Sequence, residues 1–198
     1  MAAFVAAEAK LAKALSSVPA HARCHMFLGS VYMFTKRAEE GIAECEHALA
    51  LDRNLATAYA LIGQGKIYIG RAEETEAYIA EALRLSPRDT LAYIWMSIAA
   101  VAKLHLGSYE QAVAWFRRSK EVNRNYSSAY FNMAAALAHL GRLDEGHSAV
   151  QAGLALNPAY TVSRVRAAWS TARSADPTFL AELEPIIEGM RKAGLPES

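Results

Sequence analysis

His21, Cys24 and His25 lie in the short stretch HARCH, and imidazole and thiolate are ligands for borderline and soft divalent metals. On a helix, His21 and His25 would stand one turn apart on a common face, a spacing at which two imidazoles can share an ion. No carboxylate nearby in sequence offers a fourth ligand, and Cys24 falls toward the core side of its helix. No metal is expected. His105 and His139 recur in the matching stretches HLGSYEQAV and HLGRLDEGH, each just before a glycine. A basic side chain there complements the carbonyl end of a helix. The chain contains no GxSxG, P-loop, HExxH or GxGxxG, and no strand pattern that would carry acyl or phosphoryl transfer. The expectation is a protein with no catalytic residue and no cofactor.

The recurrence of HLG points to the elements beneath. His105 and His139 are 34 residues apart, and the same offset sets Gly29 on Gly63, Ala48 on Ala82 and Gly107 on Gly141. Between the halves the offset becomes 37, which places a three-residue insertion in the run from Thr90 to Leu106. Each unit reads as two helices. The first closes near Gly70, Gly107 or Gly141, where glycine accepts positive φ. The second opens with acidic residues such as Glu39, Glu40, Glu73, Glu74, Asp144 and Glu145, which the helix dipole favours. Ser108 to Gln111 (SYEQ) has the form of a capping box. Pro87 and Pro158 close their units.

Composition agrees with a helical array. Of 198 residues, 53% are apolar and 21% charged, and the formal net charge of +1 comes from 21 basic and 20 acidic residues mixed along the chain. No clustered basic stripe is visible, so nucleic acid is not an expected partner. Two cysteines without a CxxC pair suit a reducing compartment. Glu8, Lys10 and Lys13 interrupt the apolar start, which therefore lacks the form of a signal peptide, and no run is long enough to span a bilayer. The reading is cytoplasmic.

A 34-residue helix–turn–helix period resembles the tetratricopeptide repeat family, through Leu28-Gly29 and Tyr32, Ile62-Gly63, GSYEQAVAWF and GRLDEG. The resemblance implies an all-α superhelix, a single solenoid domain over 1–198. It has a partial repeat at 1–19, full repeats at 22–53, 56–87, 90–124 and 127–158, and capping helices over 159–198. Gly41 and Gly146 replace the usual small alanine, and Cys45 a usual aromatic; these departures are expected to loosen packing locally. Asp176-Pro177 should open the last helix and Pro185 should kink or split it. The C-terminal part also resembles the repeat region attached to bacterial class III adenylate/guanylate cyclases and to some winged-helix regulators.

The resemblance further implies that first helices line a concave groove. Mapped here, the groove residues are Arg23, Met26, Phe27 and Ser30; Thr57, Ala60, Leu61 and Gln64; Leu91, Ile94, Trp95 and Ile98; and Ser128, Phe131, Asn132 and Ala135. With only Arg23 and Asn132 able to hold a carboxylate, far apart in the stack, the groove suits an apolar or amphipathic segment anchored by Trp95 and Phe131. The function expected is a non-catalytic scaffold for a protein or peptide partner. The alternatives are a regulatory region of a cyclase-type signalling protein and a self-association module. The apolar helix over 1–16, with Phe4, Val5, Leu11 and Leu15, is the expected surface for a homodimer.

Overall fold

The structure, a computed structural model, describes residues 2–171 and 173–198. Among them are eleven α-helices and no strand. Helix α1 (Ala2–Ser17) is followed by four antiparallel pairs. These are α2 (Ala22–Met33) with α3 (Ala38–Leu51), α4 (Ala56–Tyr68) with α5 (Thr75–Leu85), α6 (Ala92–His105) with α7 (Tyr109–Val122), and α8 (Ser127–His139) with α9 (Leu143–Leu156). The first helices of successive pairs touch one another, and each second helix packs against the first helix of the next pair. Ala58, Ala99, Ala134 and Ala136 are fully buried, since alanine lets helix axes approach without a long side chain between them.

The turn inside each pair repeats one backbone device. Gly70, Gly107 and Gly141 have φ of 71°, 66° and 73°. The N–H after each returns to the carbonyl five residues back, as in Arg71 to Lys66 at 2.8 Å, which closes a Schellman end. Lys36 takes that position in the first pair with φ of 62°, a conformation costly for a side chain with a Cβ. Ser108 stands at the N-cap of α7 but makes no side-chain cap bond, so SYEQ does not form the expected capping box.

Two sequence expectations need correction. The extra residues of the third unit are not confined to the helical run, because the connector before α6 spans 86–91 and includes Thr90 and Leu91. Gly41 does not loosen its helix pair. A Cβ there would lie 2.7 Å from the Gly29 carbonyl oxygen and 2.7 Å from Met33, and one on Gly29 would lie 2.7 Å from Cys45 Sγ. The glycines and the small thiol let α2 and α3 close together.

The C-terminal segment departs further from a simple end cap. After α9 the chain turns back along the stack through α10 (Val162–Arg166) and a π-turn at Ala167–Thr171. Ser174 Oγ reaches the Tyr68 carbonyl of the second pair at 2.5 Å. Helix α11 (Pro177–Lys192) then runs over α6 and α8. Asp176 caps it by accepting from the Phe179 N–H at 2.9 Å. The helix is continuous through Pro185, contrary to the expected split. Phe179, Leu183, Ile186, Ile187 and Met190 form its buried stripe. The end of the chain ties back to α10, where the Val162 N–H donates to the Pro196 carbonyl at 2.9 Å.

Candidate functional site

The C-terminal segment divides the surface formed by the row of first helices into two parts. The open part lies where the N-terminal ends of α2, α4 and α6 meet. Arg23, Met26, Phe27, Thr57 and Leu91 border a notch of about 420 Å³ there, with Asp89 on its rim. Phe27 is 52% exposed, a large apolar surface held out by a helix.

The second part is roofed. Gln64, Ile94, Ile98, Ser128 and Asn132 line a cavity of about 140 Å³ that also receives Trp169 and Arg173 from the returning segment. Arg173 Nη1 donates to the Tyr68 hydroxyl at 2.9 Å, Gln64 Nε2 donates to the same oxygen at 3.0 Å, and the guanidinium lies 4.4 Å from the Phe34 ring centroid. Burial pushes the Tyr68, Tyr126 and Tyr160 hydroxyls above the usual tyrosine range, and the Arg173 charge pulls against it.

The expected groove residues therefore separate. Arg23, Met26, Phe27 and Thr57 border the open notch; Gln64, Ile94, Ser128 and Asn132 line the roofed cavity. Ser30 and Leu61 are half-buried in neither, and Ala60 and Ala135 are buried. Trp95 and Phe131, expected as anchors, are 2% and 0% exposed. Phe131 is clamped between Gly153, where a Cβ would fall 2.7 Å from its ring, and Tyr160, stacked at a centroid distance of 4.0 Å. These rings hold helices and the returning segment together, so they cannot anchor a partner in this state.

The histidines are also placed by packing. His21 Nδ1 accepts from the Cys24 N–H at 3.2 Å, capping α2. His25 bonds Glu44 at 2.7 Å through Nδ1 and the Pro19 carbonyl at 2.8 Å through Nε2. Both partners are acceptors, so the site favours the protonated imidazole, in which both ring nitrogens donate. Burial lowers its pKa, but the bonds to Glu44 and Pro19 and the Glu44 charge outweigh it, leaving the pKa raised. Glu44 is the carboxylate that sequence proximity did not offer, but no cluster of three potential ligands forms among the described residues. His105 Nδ1 meets Glu182 at 3.1 Å, and its ring stacks on Phe179 at 5.0 Å. The recurring histidines thus hold α11 in addition to standing at helix ends.

Sequence reasoning missed Tyr160, Trp169 and Arg173. The signal was the amphipathic stripe of α11, which has to bury its apolar side somewhere on the chain. Charge was also more gathered than it reads along the sequence. Arg117, Lys120 and Arg124 meet beside Tyr130 together with Glu121, with the Lys120 ammonium 4.2 Å from that ring. Burial and the Arg117 charge hold the Lys120 pKa below the usual lysine range.

Comparison with known proteins agrees with this architecture. The tetratricopeptide repeat family model matches residues 22–55 and 92–126. The Hsp70-Hsp90 organizing protein of Triticum aestivum is 30% identical over 96 residues, 48% of this chain and 16% of that protein, so the chain spans only a small part of this relative. The solved structure of PilW, a type IV pilus biogenesis factor, superimposes with a TM-score of 0.74 at 18% identity over 94% of this chain and 82% of that one. Pseudomonas aeruginosa pilF gives 0.72 at 20% identity, over 98% and 82%. YrrB, a TPR protein with an unusual peptide-binding site, gives 0.60 at 22% identity, over 92% and 95%. At these identities the solved structures establish the fold alone. The chain is an all-α superhelix of tetratricopeptide type, and two of its segments match the tetratricopeptide repeat model.

Proposed function

We propose that this chain is a non-catalytic scaffold that seats an apolar or amphipathic segment of a protein partner in the open notch around Phe27. The observation that carries this is the exposed Phe27 ring on a rigid helix, beside Met26, Thr57 and Leu91 and rimmed by Arg23 and Asp89. An aromatic anchor within a polar rim is the arrangement that concentrates binding energy at protein interfaces. The helices are already ordered by packing, so little ordering cost falls on the scaffold when the partner binds. YrrB is described as a TPR protein with an unusual peptide-binding site, and the Hsp70-Hsp90 organizing protein is named for two other proteins, in keeping with this reading.

A photo-crosslinking residue at position 27, introduced in cells of the source, tests it. Crosslinked protein products above those from a control at exposed Leu143, on the second-helix side, are expected. Equal or absent products at position 27 would remove the notch from consideration.

A further inference from the structure

Asn132 is 2% exposed, and its carboxamide is only half satisfied. Nδ2 donates to the Ser128 carbonyl at 2.9 Å, whereas Oδ1 is buried without a hydrogen-bond partner. Turning the amide over would set oxygen against oxygen, so the bond to Ser128 fixes which atom is left unpaired. Native proteins leave few buried acceptors in this condition. Asn132 lines the roofed cavity, and so does Arg173, whose guanidinium donates to the Tyr68 hydroxyl and pairs with no carboxylate among the described residues. Its charge is felt at the Tyr126 and Tyr160 hydroxyls, which line the same space. No aspartate or glutamate borders the cavity, and Ile94 and Ile98 supply an apolar wall. The cavity thus presents a guanidinium, an acceptor in need of a donor, and a small apolar surface.

We propose that this cavity binds a small α-hydroxy acid, with the carboxylate on Arg173 and the hydroxyl donating to Asn132 Oδ1. An α-amino acid has a donor in the same place. Its ammonium would enter a space that already holds an unpaired cation and no acid, so the neutral hydroxyl is preferred. The C-terminal residue of a peptide also offers a carboxylate beside a donor, but Trp169 and Arg173 roof the cavity, which favours a free acid. The bound acid would bridge the returning segment and α8, holding that segment down. The site is separate from the notch at Phe27, and neither proposal depends on the other.

Thermal unfolding of the full chain with lactate, propionate, alanine or triglycine at equal concentration tests this. Lactate should raise the midpoint by about 3 °C at ten times its dissociation constant. Propionate, which lacks the donor, and alanine, which carries the ammonium, should do markedly less. Asn132→Leu should remove the advantage of lactate over propionate, and Arg173→Gln should remove the response to both. The proposal fails if lactate and propionate act alike, if alanine matches lactate, or if the lactate advantage survives Asn132→Leu. A larger shift from triglycine overturns the free acid in favour of a chain terminus.

Discussion

His139 Nε2 donates to the Pro185 carbonyl at 2.7 Å, tying the last turn of α8 to the middle of α11, while its ring stacks on Tyr109 at 4.5 Å. One histidine thus joins the third and fourth pairs and the returning segment. His139→Ala removes the bond and the stack and should cost about 1–3 kcal/mol in urea unfolding. Hydrogen exchange should speed up in 177–192 before it does in α2 or α3. Uniform acceleration along the chain would show that α11 is not held locally.

The turn glycines should separate by what lies above them. A Cβ on Gly107 meets nothing within 4 Å, so Gly107→Ala should cost only the left-handed backbone penalty, about 1–2 kcal/mol. A Cβ on Gly70 would lie 2.6 Å from Asp176 Oδ1 and 2.7 Å from Thr178 Cβ, so Gly70→Ala also displaces the start of α11 and should cost about 1–3 kcal/mol more. Lys36→Gly should stabilise by up to about 1 kcal/mol, since it relieves the same backbone conformation. Denaturation midpoints of the three variants measured side by side check the order. Equal costs at Gly70 and Gly107 would mean that α11 does not rest on the second turn.

The repeat was legible because its signals are local. Gly70, Gly107 and Gly141 mark turns by the backbone they permit, and helical period follows from residues three and four apart. The fate of residues 159–198 was not local. Phe179, Leu183 and Ile186 announce an apolar stripe, but a stripe does not name the face it covers, and only the assembled stack shows that α6 and α8 receive it. The same limit affected the groove. Register placed Ile94 and Trp95 side by side on one helix, and it took the neighbouring helices to send Ile94 to the cavity and Trp95 to the core. Gly41 was misjudged for a related reason, since small size alone does not tell a loose contact from a close one.

His25 gives the chain a pH-dependent term. Its folded pKa is raised above the unfolded value, so its stabilisation is fully present below pH about 6.5 and fades as pH rises through the folded pKa. Glu44 accepts its Nδ1–H, and His47 stacks on the ring at 4.1 Å. His25→Gln should therefore cost most below pH about 6.5, by about 1.5–3 kcal/mol, and less at pH 8. Chemical denaturation of both proteins at pH 5.5 and 8 checks the sign. A gap that widens toward pH 8 would mean that the neutral ring is the stabilising form.

Self-association through residues 1–16 rests on less surface than the sequence implied. Phe4 stacks on Phe34 at 6.0 Å, Glu8 pairs with Arg37 at 2.7 Å, and Leu11 and Leu15 are half-buried. What remains outward is Val5, 62% exposed, within a stripe of alanines. Apolar area removed from water contributes about 25 cal/mol per Å², so a stripe of small side chains supports only a weak two-fold dimer. Sedimentation at rising concentration should show a monomer–dimer equilibrium that deletion of residues 1–16 abolishes. A monomer at every concentration ends the idea, and a dimer that survives the deletion uses another face.

The aromatic residues of the first helices should divide by their effect on folding and on binding. Phe131 is fully buried between Gly153 and Tyr160, so Phe131→Ala opens a cavity that also releases the returning segment, and it should cost about 3–5 kcal/mol of stability. Trp95→Ala should behave alike, since its ring is in the core. Phe27 already stands half in solvent, so Phe27→Ala should change stability far less, by about 0.5 kcal/mol. Its effect should appear in partner capture, where truncating an anchor typically costs about 2 kcal/mol, close to thirtyfold in affinity. Arg23→Ala, on the rim of the same notch, should cost less than Phe27→Ala. The pair of measurements that decides is the unfolding midpoint and the affinity for a crosslinked partner, on the same four variants. If Phe27→Ala bound normally while Arg23→Ala did not, the notch would be reading charge, and the apolar anchor would have to be abandoned.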